Sequence, residues 1–242
     1  MVLASLKVGL GGLLSTLGYR VEVLRRLGGV APRECPICGY KGRFRAFGHP
    51  PRYDAECPNC TSLERHRLLH LALQAHGILF PSAEALHFAP EQALIPIVKS
   101  RVGRYVTADL EDGFGDLSLD LERIALPDAC FDIVIANHVL EHVDDRAALL
   151  ELRRILRSNG VLVVTVPLVE GWDTTYENPS IATPRDRDLH FGQGDHIRYY
   201  GRDFRQRVSE SGLILSEYSA SGPDTALYGL LRGERVFLAR KR

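Results

Sequence analysis

Four cysteines stand in two pairs, Cys35-Pro-Ile-Cys38 and Cys57-Pro-Asn-Cys60, with eighteen residues between the pairs. Two residues between cysteines let both sulfurs reach one ion, and two such pairs close a tetrahedral four-sulfur shell. Four thiolates leave no position for water, so the spacing predicts structural zinc. Gly39 permits the tight turn behind the first pair. The intervening residues read as a short ribbon whose tip carries Lys41, Arg43, Arg45 and Arg52. A redox dithiol would need a thioredoxin-like βαβ context, which these cysteines lack. His66 and His70 lie i,i+4 on the next predicted helix and are expected on its surface rather than on the metal. The fifth cysteine, Cys130, precedes a buried strand and reads as packing.

A second group of reactive types follows the apolar, β-branched run Phe131–Ala136, which reads as a strand buried on both faces. Within six residues the chain then delivers Asn137, His138, Glu141 and His142. In open α/β sheets, ligands bind outside the carboxyl ends of strands. Glu141 and His142 are expected to begin a helix over Val143–Arg157, with a structural role for His142 preferred to that of a general base. Upstream, a strand over Ala85–Phe88 runs into the turn His87-Phe88-Ala89-Pro90-Glu91. Ala89 is small enough for close ligand approach, and Pro90 suits the first turn of a helix. The next strand, Gly103–Asp109, ends on a carboxylate about twenty residues after that turn, the spacing at which an acid reaches ribose hydroxyls. Two acceptor oxygens can receive both hydroxyl hydrogens.

A third group fills residues 168–203, far longer than an ordinary connection. This segment holds Trp172, Tyr176, His190, Gln193, Asp195, His196, Arg198 and Tyr199, a concentration of proton-transfer and anion-binding groups. Long loops at the carboxyl edge of a sheet serve as lids or substrate walls.

LPDACFDIVIANHVLEHVDD, followed by LLELRRILRSNGVLVVTVP, resembles the central part of class I S-adenosylmethionine (SAM) dependent methyltransferases, from about Ala85 onward. The likeness is closest to a subgroup with two Cys-x-x-Cys knuckles upstream and an FGQ-x-DH-x-R-x-YG-x-DF segment downstream. The resemblance implies an α/β fold, a Rossmann-like and mostly parallel sheet with an antiparallel C-terminal strand, joined to a small N-terminal zinc ribbon. Where such a fold usually carries a glycine-rich turn, this chain has Phe88, Ala89, Pro90 and Glu91. The resemblance implies that SAM lies across these four residues, with Asp109 and Leu110 at the ribose. Asp120 would close a third strand and accept from the adenine amino group, with Leu121 donating through its backbone, while Asn137 and His138 line the floor. Methyl transfer from a sulfonium needs mainly alignment, plus a proton acceptor for a hydroxyl or amine nucleophile. His196 is the first candidate, with Asp195 or another nearby carboxylate as orienter, and His190 next; Tyr176, Gln193, Arg198 and Tyr199 would hold the acceptor.

The elements that must position these groups follow from periodicity. Leu3, Leu6, Leu10, Leu13, Leu17, Val21 and Leu24 trace an amphipathic N-terminal helix over residues 1–30, packed on the domain or on a second subunit as a homodimer. The zinc ribbon occupies 31–61 and the methyltransferase domain 62–242. A helix stopped by Gly77 precedes the first strand, the crossover after Asp109 is trimmed, and Leu213–Ser219 with Glu234–Lys241 form a terminal antiparallel pair. Composition is ordinary, 45% hydrophobic and 25% charged with zero formal net charge. No apolar run reaches the length of a membrane span, and a reducing, cytoplasmic setting is the expectation. Residues 1–80 carry 11 Lys and Arg against 5 Asp and Glu. The favoured acceptor is a small molecule or glycan. RNA gripped by the basic lobe is the alternative, and a non-catalytic, zinc-stapled interaction protein is the third reading.

Overall fold

The computed structural model describes residues 18–242. The chain divides into two compact units, one running up to Arg67 and including Ala220–Arg232, the other comprising Leu68–Ser219 and Gly233–Arg242.

In the first unit, residues 18–27 form a helix, α1. Val21 and Leu24 are exposed on it, at 58% and 67%. Leu3 to Leu17 of the predicted apolar stripe lie outside the described residues. Two antiparallel ribbons follow: β1 (Pro32–Glu34) with β2 (Lys41–Arg43), and β3 (Arg45–Phe47) with β4 (Arg52–Glu56). Phe44 is fully buried with Cys35 and Cys57 in a small core. Among the described residues this cluster is small, and a core of that size gives little stability alone. The other buried anchor is Arg67, at 0% exposure, whose guanidinium donates to the carbonyls of Ser62, Ala55, Tyr228 and Gly229 at 2.5–3.0 Å. Burial lowers its pKa, and the fork of donors offsets part of that cost.

Helix α2 (Glu64–Ala75) ends before Gly77, whose φ of +56° permits the stop the sequence predicts. His66 and His70, expected on its surface, are buried at 8% and 3%. The Nδ1 of His66 accepts the backbone N–H of Leu63 at 3.2 Å. Helical spacing places them on one face but does not say which face the core covers.

The second unit is built on a seven-stranded sheet. Its strands are β5 (Glu84–Phe88), β6 (Arg104–Asp109), β7 (Leu117–Ser118), β8 (Phe131–Asn137), β9 (Leu156–Thr165), β12 (Ile214–Tyr218) and β13 (Val236–Arg240). The order is β12-β13-β9-β8-β5-β6-β7, parallel from β9 to β7, with β13 antiparallel to β9 and to β12. Ile133 to Ala136 are each 0% exposed, as a central strand of β-branched residues requires. Short α3 (Ile95–Lys99) joins β5 to β6, and no helix separates β6 from β7 or β7 from β8, the expected trimming.

The helix predicted over Val143–Arg157 is α4, Asp145–Ile155. Glu141 and His142 do not begin it. They form a separate 3-10 turn, Leu140–His142, and Asp144 caps α4 by accepting the N–H groups of Arg146 and Ala147. A capping aspartate restarts the chain, so the histidine-bearing turn leaves the helix axis. The long segment contains β10 (Tyr176–Glu177), α5 (Pro184–Phe191) and β11 (Arg198–Tyr199), the two strands pairing antiparallel. Helix α6 (Phe204–Glu210) follows, and α7 (Gly222–Tyr228) interrupts the terminal strand pair in sequence. Neither α5 nor α7 has an apolar period that sequence reading could detect. No described helix is long and apolar enough to cross a membrane.

Candidate functional site

The sheet order reverses between β5 and β8, because the chain moves from β5 outward to β6 and from β8 outward to β9. Such a switch point leaves a crevice at the strands' carboxyl ends. Two turns face it, and each contains an L-residue in the left-handed region: Ala89 at φ +44° and His138 at φ +50°. Both are held from neighbouring strands, Ala89 N–H donating to Ala108 O at 2.8 Å and His138 N–H to Thr165 O at 2.9 Å. Ala89 thus adopts the backbone a glycine would supply. Strain of this kind concentrates at ligand clamps.

A row of side chains lies behind the turns. Buried His87 contacts the Tyr105 hydroxyl through Nδ1 and the Glu91 carboxylate through Nε2, both at 2.9 Å. Glu91 also approaches Asn137 Nδ2 at 3.5 Å, so it ties the two turns together. Burial raises the Tyr105 phenol well above its ordinary pKa and keeps it neutral. Phe88, expected at the cofactor, points its side chain into the core at 1% exposure, so only its backbone can serve. Asp109 closes β6 beside Leu110, which is 68% exposed. Asp120 does not close the third strand: β7 stops at Ser118, and Asp120 Oδ1 accepts the Glu122 N–H at 2.9 Å. Leu121 packs against the core. On the β8 side, His138 Nε2 is buried without a hydrogen-bond partner.

Beyond His138, Glu141 is 0% exposed. Its Oε1 meets His138 Nδ1 at 3.0 Å, and its Oε2 has no partner. His142 and His196 stack edge to face with ring centroids 4.8 Å apart. Asp195 does not orient His196 as expected. It contacts His142 Nδ1 at 3.3 Å, while His196 Nδ1 lies 3.2 Å from Phe191 O. Burial lowers the His196 pKa and favours the neutral ring. His190 stands on the exposed side of the segment, its Nδ1 2.7 Å from the Tyr176 hydroxyl. Tyr176 and Tyr199 both meet Trp172 edge-on, at 6.2 and 6.4 Å, and Gln193 is exposed nearby in sequence.

Arg198, expected to grip the acceptor, is instead 7% exposed and bonded within the protein through Nε and Nη1. It donates to Glu177 Oε2 at 2.8 Å and to the carbonyls of Leu140 and Val143 at 2.9 and 2.5 Å. Arg207 holds Asp145 at 3.0 Å and Glu177 at 2.8 Å. Burial alone would raise the Glu177 carboxyl, but hydrogen bonds from Arg207 and Arg198 bring it below the ordinary carboxylate range. This network fastens the 168–203 segment onto the Leu140–His142 turn. Asp145, Glu177 and Arg207 escaped the sequence reading, and Glu141 was read as the start of a helix, since nothing local marks a polar residue as buried.

In the first unit, Cys35 and Cys60 sulfurs are 3.6 Å apart and those of Cys38 and Cys57 3.7 Å. All four lie within 4.8 Å of one another. A zinc tetrathiolate with bonds of about 2.3 Å has sulfurs about 3.8 Å apart, so the donor set fits. Burial pushes the Cys57 thiol up to about 12. It would also raise Cys38, yet hydrogen bonds from Asn59 and the Tyr40 backbone bring that thiol down to about 7. Four such groups ionise together only around a cation. The two knuckles are alike: Gly39 N–H donates to Cys35 O and Thr61 N–H to Cys57 O, both at 2.9 Å. Gly39 has φ +73°, whereas β-branched Thr61 is held at +57°. Thr61→Gly is therefore expected to stabilise the unit by about 0.5–1 kcal/mol, read as a higher thermal midpoint with metal bound. A lower midpoint would show that Thr61 is unstrained.

Residues 81–164 match the family model described as a methyltransferase domain. No curated protein matches the chain. Solved structures share its fold. The YcgJ protein from Bacillus subtilis has TM-score 0.51 at 14% identity, over 73% of this chain and 99% of that one. A SAM-dependent methyltransferase from Mesorhizobium loti has TM-score 0.50 at 13% identity, over 71% and 96%. The [4+2]-cyclase SpnF has TM-score 0.51 at 15% identity, over 72% and 80%. These likenesses concern the fold alone. The domain match over the switch-point strands supports SAM-dependent methyl transfer as the activity of this unit.

Proposed function

We propose that the protein transfers the methyl group of SAM to an O or N atom of a small molecule or glycan, bound between the carboxyl edge of the sheet and the 168–203 segment. The observation that carries this reading is the pair of left-handed turns at Ala89 and His138, with a buried, unpartnered His138 nitrogen at the crevice. A cofactor satisfies that nitrogen and uses the strained turns. In this reading SAM lies along Ala89, Pro90 and Glu91, Asp109 receives the ribose hydroxyls, and Asp120 and Leu121 border the adenine. Asn137 and His138 form the floor. Tyr176, Gln193 and Tyr199 wall the acceptor. Proton removal falls to an imidazole of the 168–203 segment, His196 first and His190 next. Zinc on Cys35, Cys38, Cys57 and Cys60 staples the first unit.

Incubating the protein with methyl-labelled SAM and fractionated cell extract tests the proposal. Label should enter small molecules or glycans, with little salt dependence. Label in RNA that falls steeply between about 50 and 200 mM salt would transfer the role to the basic lobe. SAM binding by calorimetry should weaken about 10–100-fold in Asp109→Ala, the loss of a charged pair of hydrogen bonds. Unchanged affinity would displace Asp109 from the ribose.

A further inference from the structure

We propose that Glu141, His142 and His196 form a second, divalent-cation site, distinct from the cysteine cluster and open to the acceptor. One carboxylate oxygen of Glu141 and one ring nitrogen of each histidine lie within 4.8 Å of one another. The three residues share a pattern beyond proximity. Each has one polar atom held by a second group and another left over. His196 Nδ1 is held by the Phe191 carbonyl, and His142 Nδ1 lies 3.3 Å from the exposed Asp195 carboxylate. Glu141 Oε1 is held by His138, and Oε2 is buried without a partner. Metal-binding imidazoles characteristically donate their other N–H to a carbonyl or carboxylate, which fixes the tautomer and aims the free nitrogen. A bare carboxylate oxygen at 0% exposure is strongly disfavoured unless a cation or donor meets it.

Bonds of about 2.1 Å place neighbouring ligand atoms about 3–3.4 Å apart, so closure needs movements of about an ångström. The partly exposed His142 ring can supply them. Two imidazoles and one carboxylate suit zinc or a neighbouring first-row ion. Three protein ligands leave a position for water or for an acceptor oxygen, unlike the closed tetrathiolate shell.

This assignment deepens the proposed function, on which its chemical consequence rests. An acceptor hydroxyl bound to the cation loses its proton to water near neutral pH. The oxygen lone pair then forms the new O–CH3 bond as the CH3–S bond breaks, and the sulfur keeps that electron pair to leave as a neutral thioether. The acceptor class narrows to alcohols and phenols, and the two histidines act as ligands instead of bases.

The test is zinc stoichiometry of the full chain by equilibrium dialysis and metal analysis, which needs no turnover. Wild type should hold two zinc ions and the double variant His142→Ala/His196→Ala one. One zinc in wild type, or two in the double variant, overturns the site. Because His196 is buried, His142→Ala alone is the control for folding: its second zinc should weaken at least tenfold with an unchanged thermal midpoint of the metal-free cleft. Asp195→Asn, through orientation of His142, should weaken it about 10–100-fold; wild-type affinity in both single variants also overturns the site. Two zinc ions with no methyl transfer to any hydroxyl compound would keep the site and remove its proposed use.

Discussion

On the proposed zinc site, Cys57→Ser should release the metal and unfold the first unit. A structural zinc site contributes an apparent ~10–16 kcal/mol at pH 7, more than the whole stability of an ordinary domain. Among the described residues, the packed apolar core around Cys57 that would have to replace it contains only Phe44, Cys35 and a few partly buried neighbours. A serine hydroxyl does not ionise near neutral pH and is a poor zinc ligand. Chelation of wild type at high EDTA should reproduce the effect. The measurements are metal content and limited proteolysis: cleavage within residues 32–62 should rise at least a hundredfold. A Cys57→Ser protein that keeps its zinc and resists proteolysis would show that these sulfurs are not a metal shell. Re-addition of zinc should restore chelated wild type but not the variant, which separates metal loss from irreversible damage.

Arg207→Met should lower stability by about 3–5 kcal/mol, the usual cost of leaving a buried charge unpaired. Asp145 is 2% exposed and has its shortest contacts to Arg207, with Arg198 at 3.8 Å. At about 2–4 °C per kcal/mol for a unit of this size, the midpoint should fall by roughly 6–20 °C. The companion variant Arg207→Met/Asp145→Leu should recover much of the loss, since an apolar pair needs no compensation. A midpoint shift under about 2 °C in the single variant would show that Asp145 finds another partner. Methyl transfer should fall in the single variant even where the protein remains folded, because the same arginine holds Glu177 on the 168–203 segment.

The Glu177 carboxyl gives a pH prediction of definite sign. Its folded pKa is depressed by Arg207 and Arg198. The folded state therefore binds a proton less readily than the unfolded state, and the contribution is fully present above the ordinary carboxylate range. It is lost as pH falls below about 4 through the depressed value. Glu177→Gln should be less stable than wild type at pH 7, and the two should converge at acid pH. Parallel curves would mean that the carboxylate carries no linked proton.

Much of the architecture is legible in the residues themselves. The β-branched run Phe131–Ala136 and the spacing from the Ala89 turn to Asp109 anticipate two central strands and the crevice between turns. Cysteine spacing anticipates a four-sulfur cluster. Each of these depends on covalent geometry over a few residues or on a short period. Positions where the reading differed involve groups whose surroundings come from far along the chain. Arg198 looked like an anion grip because arginine in a long polar segment usually faces solvent, yet Leu140 O and Val143 O lie 58 and 55 residues away. Asp195 looked like the partner of His196 because it is adjacent, but neighbouring residues in a turn point in different directions, and His142 receives it.

The sequence by itself determined the inventory: four cysteines at knuckle spacing, buried strands ending in polar turns, and a segment dense in imidazoles and aromatic rings. Only the tertiary structure decided which of those groups are already bound to one another. Arg207 meets Asp145 across 62 residues and Glu177 across 30, while Glu141 keeps a buried oxygen unpaired beside two oriented histidines. The physical reason is range. Backbone stereochemistry and side-chain period act over a few residues, whereas desolvation and charge pairing depend on what packing brings within a few ångströms.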